Sequence, residues 1–328
     1  MNSQQHKNIK WGIIGLGHIA NKFAQDLLKV ENATLYAVAS RNLNKASEFA
    51  KTYNVNHAYG TYEALVNDPN IDAVYIATPH AFHNENTILC LNHKKAVLCE
   101  KPFAMNLSEV DEMIATAKAN NTLLMEAMWT YFLPHYQFAL QHIKDETFGK
   151  IVKIEADFGF KPELDMTSRV FNKSLGGGSL LDIGIYPIFA ALSTLGQPIH
   201  IESKATFFEN DVDSSCLMLF SYDNDVEAHL KSTFLEKTPT EAKFYCELGT
   251  IKINSRFHGP SNVTLISEEK EETIDFDYST NGYYYEILHF NQLLRDDKKE
   301  SDVMTFDFSR TLIQLLDTVR HQIGLNYK

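Results

Sequence analysis

A chain of 328 residues, 44% hydrophobic, 22% charged and 12% aromatic, has the composition of a globular protein and the length of two domains. Its 42 acids against 30 bases leave a formal charge of -12, which argues against a nucleic-acid backbone as partner. The longest apolar run, Leu180–Leu195, is broken by Asp182, Gly184 and Pro187, so no membrane span is expected, and the polar start MNSQQHKNIK lacks the apolar core of a signal peptide. A cytoplasmic location is expected, with Cys90, Cys99, Cys216 and Cys246 as buried free thiols.

The first apolar strand, Ile9–Ile14, runs into Gly15-Leu16-Gly17-His18-Ile19-Ala20. In this GxGxxA pattern Gly15 permits the tight turn, Gly17 lets a pyrophosphate reach the backbone, and Ala20 lets helix pack on strand. The amides that open the helix, at His18 and Ile19, then face the phosphates. Ile19, Phe23, Leu27 and Leu28 give the next segment a helical apolar stripe. A second strand, Ala33–Ala39, ends in Ser40-Arg41-Asn42, with no acid until Glu48. An NAD site expects Asp or Glu there for the ribose hydroxyls. Arg41 can instead stack on an adenine and pair with a 2′-phosphate, and Ser40 can donate to it, which favours NADP(H) over NAD(H). The alternative for Arg41 is a solvated loop residue.

Helices at Asn42–Tyr53, Thr61–Val66, Ala81–Leu91 and Leu107–Asn120 alternate with strands at Ala73–Ala77, Ala96–Cys99 and Leu123–Met125. This βα alternation predicts a doubly wound parallel sheet. One strand ends in Thr78-Pro79-His80. His80 and His83 have the spacing of metal ligands, but no Cys or carboxylate cluster accompanies them, so no metal is expected. They read instead as lining the nicotinamide side of a site or holding the turn. In Lys95–Pro102, KAVLCEKP, an apolar strand ends in Glu100 and Lys101, and Pro102 prevents its continuation. Ligands of open α/β sheets bind outside the carboxyl ends of the strands, which makes Lys101 a chemical candidate. A solvated strand end with an incidental ion pair is the alternative.

A boundary is expected near Met125–Thr130, giving a dinucleotide-binding domain over 1–127 and a second α/β domain over 128–328. In the latter, strands at Ile151–Phe158, Ile199–Phe208, Cys216–Tyr222, Val226–Phe234, Lys243–Glu247, Thr250–Ile253 and Val263–Ile266 predict a large, mostly antiparallel sheet. Asp223-Asn224 is a hairpin signal, and helices at Tyr284–Leu294 and Met304–Ile323 follow. Between the first two strands lie Gly176-Gly177-Gly178 and then SLLDIGIYP. The glycines allow a close backbone approach before a helix. Asp182 and Tyr186 share one face of that helix, and Pro187 predicts a kink in it. A turn acid and a core tyrosine are the alternative to a site.

The GxGxxA start, EKP at a later strand end and DxGxY behind a glycine turn together resemble the Gfo/Idh/MocA oxidoreductases over nearly the whole chain. GLGHIA, ASRN, LCEKP, MEAMWT and GGGSLLDIGIY are most similar to the branch of dimeric dihydrodiol dehydrogenases and NADP-dependent D-xylose dehydrogenases; where the family usually has Asn after Thr-Pro, this chain has His80. The resemblance implies Lys101 and Tyr186 as the catalytic pair with Asp182 beside them. It also implies a cis Lys101–Pro102 bond, and Thr78, Pro79, His83 and Glu100 at the cofactor. The open sheet of the second domain would form a homodimer or homotetramer. The implied activity is hydride transfer between nicotinamide and a carbonyl or secondary alcohol of a sugar, polyol, trans-dihydrodiol or small dicarbonyl. There a lysine ammonium stabilises developing alkoxide and a tyrosine hydroxyl carries the proton. Trp129, Arg169 and Phe171 are candidate walls of the substrate site, although Arg169 fits a surface arginine equally well. Two other readings remain: a non-catalytic NADP(H)-sensing regulator of the same fold, and a redox-assisted lyase or glycosidase that retains its cofactor.

Overall fold

In the computed structural model, which describes residues 7–163, 165 and 168–327, backbone contacts divide the chain into two units. One runs to Trp129 and takes in Ser279–Arg310; the other is Thr130–Tyr278 with the chain from Thr311 on.

The first unit alternates β1 (Ile9–Ile14), α1 (His18–Leu27), β2 (Ala33–Ala39), α2 (Leu43–Tyr53), β3 (His57–Tyr59), α3 (Tyr62–Val66), β4 (Ala73–Ile76), α4 (His83–Asn92), β5 (Ala96–Glu100), α5 (Leu107–Asn120) and β6 (Leu124–Ala127). Its sheet has the order β3-β2-β1-β4-β5-β6, and neighbours pair in parallel. This is the dinucleotide-binding order, which reverses direction between β1 and β4. Every residue of β4 and β5 is buried, as apolar runs covered on both faces require. The strand β3, His-Ala-Tyr, carries no apolar run to mark it. Asparagine side chains start two of the helices: Asn42 accepts from the amides of Asn44 and Lys45, and Asn106 from that of Glu109.

The second unit begins with α6 (Pro134–Lys144), which opens on the proline its first turn tolerates. After β7 (Ile151–Gly159) come α7 (Ile185–Leu195), β8 (His200–Phe207), β9 (Asp213–Ser221), β10 (Glu227–Thr233), β11 (Ala242–Cys246), β12 (Gly249–Ile253), β13 (Val263–Ser267) and β14 (Glu271–Ile274). The sheet order is β14-β13-β12-β11-β7-β10-β9-β8, antiparallel except where β7 meets β10. The expected Asp223-Asn224 turn joins β9 to β10, with Asn224 at φ 59. The stretch Lys173–Leu195 is long and apolar enough to cross a membrane, but 94% of its most apolar window is buried inside the protein.

The chain then returns to the first unit with α8 (Tyr283–Arg295), and the division between units falls inside α9 (Phe306–Gln322). This differs from an undivided 128–328 domain, and contacts between residues far apart in the chain explain why. Asp26 of α1, fully buried, accepts from the amides of Asn281 and Tyr284 and so caps α8. The Trp11 indole donates to Asn291 Oδ1 at 3.1 Å, and the Trp11 and Phe290 rings lie 5.1 Å apart. Cys90, Cys99, Cys216 and Cys246 are all buried and free.

Candidate active site

Gly15 closes the β1–α1 turn at φ +87, and a Cβ there would come within 2.6 Å of the backbone at Ala77 and Thr78. No other residue type fits. Gly17 is the N-cap of α1 without a side-chain cap, the first turn holds no acid, and a Cβ on Gly17 would meet nothing within 4 Å. The start of α1 is therefore open at Gly17 and at exposed His18, while Ala20 is fully buried. This is the cradle a pyrophosphate needs.

From the end of β2, Ser40 Oγ accepts the Asn42 amide at 3.2 Å, and the Arg41 guanidinium lies 5.3 Å from the centre of the Phe82 ring. Arg41, Tyr62, Phe82, Thr78 and Pro79 line a cavity of about 530 Å³, together with two carboxylates, Glu63 and Glu85. Burial raises the Tyr62 phenol, and the neighbouring Arg41 charge works against that rise. A cation over one ring and beside another is a stacking place for a planar base, with the guanidinium left to meet a phosphate. Tyr62, Phe82 and Asn86 carry no motif, so sequence reasoning missed them.

Asn86 Nδ2 donates to Thr78 Oγ1, and both ring nitrogens of His83 sit 2.8 Å from carbonyl oxygens, those of Thr78 and Pro102. His83 is fully buried. It ties the ends of β4 and β5 together. The Lys101–Pro102 peptide is cis. Glu100 is buried, receives the Tyr75 hydroxyl on Oε1 and takes the Lys101 amide on Oε2, while the Lys101 side chain is half-buried. Glu126 of β6, missed in the sequence, accepts the Phe103 amide at 3.0 Å just beyond the proline. Burial pushes its carboxyl up to about 7, against the Ser309 hydroxyl and the Phe103 amide. Trp129, expected as a substrate wall, is buried and stacked on Tyr283, with ring centres 4.5 Å apart.

In the second unit, Leu180–Gly184 winds as a π turn and α7 follows it. Pro187 then falls in the first turn of α7, where a missing N–H is tolerated, and the π turn takes up the irregularity the proline predicts. Asp182 lies on the π turn and Tyr186 opens α7; both are buried, at 7% and 5% exposure. Arg169 Nη2 donates to Asp182 Oδ1 at 3.0 Å, so this arginine is paired and not a loose surface residue. The Tyr186 ring lies 4.9 Å from that of His258 and 5.7 Å from that of Phe158. His258 carries no sequence signal. Phe171, the remaining expected wall, is 1% exposed and packs edge-on against Phe208 and Phe234, so it belongs to the core.

An open cradle at a helix start, a cation-bearing cavity at the end of β2 and a lysine at the end of β5 define a dinucleotide-dependent oxidoreductase. Residues 9–128 match the family model described as an oxidoreductase family with an NAD-binding Rossmann fold, and residues 136–252 match the GFO/IDH/MocA C-terminal domain. The chain is 35% identical over 330 residues to a trans-1,2-dihydrobenzene-1,2-diol dehydrogenase of Xenopus tropicalis, covering 97% of this chain and 99% of that one. It is 34% identical to the scyllo-inositol 2-dehydrogenase (NADP(+)) IolU of Bacillus subtilis, with 97% and 98% covered. Among solved structures it is similar to KijD10, a 3-ketoreductase of Actinomadura kijaniata in complex with NADP and TDP-benzene, at 25% identity, a TM-score of 0.88 and coverage of 97% and 98%. The chain belongs to the Gfo/Idh/MocA family of NAD(P)-dependent oxidoreductases.

Proposed function

We propose that this enzyme uses NADP(H) to interconvert a secondary alcohol and a carbonyl on a sugar, polyol, trans-dihydrodiol or small dicarbonyl. The end of β2 carries the cofactor choice: Arg41 over Phe82, Ser40 before it, and no carboxylate in the place where an NAD site holds its ribose. The named cofactor of IolU and the NADP of the KijD10 complex support it. Gly15, Gly17, His18 and Ile19 hold the pyrophosphate, and Thr78 and Pro79 border the adenosine cavity. Bound NADP(H) supplies or accepts the hydride.

Lys101, placed by Glu100 and by the turn that His83 and Glu126 hold, sets its ammonium against the oxyanion that develops on the substrate. Tyr186 holds the proton at its hydroxyl. Asp182, turned by Arg169, accepts a substrate hydroxyl. Assays with NADP+ and scyllo-inositol, D-xylose or trans-1,2-dihydrobenzene-1,2-diol, and with NADPH and a small dicarbonyl, test the reading. Turnover of one of them that Lys101→Ala abolishes supports it. NADPH binding with no turnover across the panel would leave a ligand-sensing protein instead.

The same reading includes a cytoplasmic homodimer or homotetramer formed through the sheet of the second unit. Leu217 is 53% exposed, and with Leu219 it lines a groove of about 380 Å³ over β7–β10, between Lys204, Glu202 and His229. An open apolar stripe with mixed charge around it suits a self-complementary face. Light scattering on Leu217→Glu is expected to return a monomer; an unchanged assembly would move the interface elsewhere.

A further inference from the structure

The glycines ahead of Asp182 and Tyr186 are closed in from three sides. The Gly178 amide donates to Val170 O at 2.9 Å, and the Tyr327 hydroxyl donates to Gly177 O at 2.8 Å. Asp213, the first residue of β9, takes the third side: Gly178 has φ +121, and a Cβ there would overlap Asp213 Oδ1. Asp213 is fully buried. Its Oδ2 accepts from Ser179 Oγ at 2.8 Å and from the Leu180 amide at 2.7 Å. Ser179 Oγ also lies 3.0 Å from Ser232 Oγ on β10, and Asp213 Oδ1 has no hydrogen-bond partner among the described residues.

A buried carboxylate is costly unless its charge is held, and this one is held by two donors at the start of a helical run. Those donors belong to Ser179 and Leu180, the residues from which the π turn unwinds toward Asp182 and then Tyr186. A change in how Asp213 grips them therefore turns both side chains together. We propose that Asp213 is a positioning residue: its charged carboxylate clamps Ser179 and Leu180 and thereby sets the aim of Asp182 and Tyr186. The proposal rests on the reading of those two as site residues and deepens it. The titratable groups that face Asp213 are Tyr327 from the end of the chain and Cys216 on its own strand, with Asp182 and Arg320 acting in turn on Tyr327. Burial pushes the Asp213 carboxyl up to about 6, and the Ser179 and Leu180 donors hold it down. Below that pH the clamp becomes neutral and its hydrogen bonds weaken.

The test uses the full chain, Asp213→Asn and Ser179→Ala, with amide exchange across Gly177–Tyr186 and steady-state kinetics on NADP+ and scyllo-inositol. In the wild type, exchange at the Leu180 amide, corrected for its intrinsic pH dependence, rises about fivefold from about pH 8 to about pH 5. In Asp213→Asn it is raised at both values and no longer depends on pH. The same variant loses about tenfold in kcat with KM within about twofold, and loses the acid limb near pH 6. Wild-type exchange in Asp213→Asn, or altered exchange with unchanged kcat and pH profile, would overturn the proposal. Should Asp213→Asn fail to fold, Ser179→Ala, which removes one donor and keeps the carboxylate, is expected to raise exchange at the Leu180 amide and lower kcat with KM nearly unchanged, while the pH dependence persists and moves upward; wild-type exchange and kcat in it would overturn the proposal. Full turnover in both Asp182→Asn and Tyr186→Phe would overturn the site reading instead, and if scyllo-inositol is not turned over, the exchange result alone decides whether the clamp exists.

Discussion

Two glycine-rich turns each open a helix in this chain, one at Gly15–Gly17 and one at Gly176–Gly178. At the first, the amides of α1 begin beside a glycine whose missing Cβ leaves clear space. At the second, the chain brings in its own anion: the Asp213 carboxylate sits on the Leu180 amide, and the space beside Gly178 is taken. Both turns obey the same local physics, because a helix start carries unpaired amides and a partial positive charge. What differs is where the compensating negative charge comes from. The first turn leaves it open, as the proposed cofactor phosphate requires, whereas the second is a structural joint ahead of the proposed site residues Asp182 and Tyr186. A glycine pattern reports a close approach and does not report by what.

The largest effect that would sharpen this contrast belongs to chemistry on the second side. Tyr186→Phe is expected to lower kcat about a thousandfold, near 4 kcal/mol, with thermal stability unchanged, since its ring contacts to His258 and Phe158 remain. Next comes the pair of glycine variants. Gly178→Ala is expected to cost about 3 kcal/mol in a denaturant titration, because it meets both a carboxylate and an unfavourable φ. Gly17→Ala is expected to change stability by no more than about 0.5 kcal/mol while weakening NADPH binding. Equal destabilisation by the two would break the comparison. Arg41→Ala is expected to weaken NADPH by about 2 kcal/mol, roughly thirtyfold, and NADH far less, measured by calorimetry.

The smallest effect is a pH-dependent one at Glu126. Its carboxyl is pushed up to about 7 in the folded chain, so the folded form binds the proton more tightly than the unfolded form. Stability from this group therefore grows as pH falls through about 7 and is lost as pH rises. Glu126→Gln keeps an acceptor for the Phe103 amide and is expected to gain about 1 kcal/mol near pH 8 and nothing near pH 4 in urea titrations. A gain of the same size at both would remove the ionisation from the account.

The first unit was legible because its signals are local. Buried parallel strands are unbroken apolar runs, and GLGHIA and EKP are contiguous stretches whose turns are dictated by their own residues. The strand β3 escaped because a three-residue strand of His, Ala and Tyr has no periodicity to read. The proposed site in the second unit was legible only as Asp182 and Tyr186 on one helix. The groups that hold it, Arg169 on Asp182 and Asp213 on Ser179 and Leu180, are brought there by tertiary contact, and no spacing encodes that. Both Trp129 and Phe171 are buried against other rings, and the sequence alone does not separate the two roles: an aromatic ring that walls a substrate site and one that fills a core present the same apolar surface in sequence. The return of Ser279–Arg310 to the first unit rests on the Asp26 cap and the Trp11–Asn291 bond, each joining residues far apart in the chain.

Fluorescence titration of the purified protein with NADPH and NADH tests the central claim most directly. The account predicts NADPH binding tighter by about tenfold or more, with the gap closing in Arg41→Ala as the 2′-phosphate loses its cation. Equal affinity for the two cofactors, or binding of neither, would contradict it.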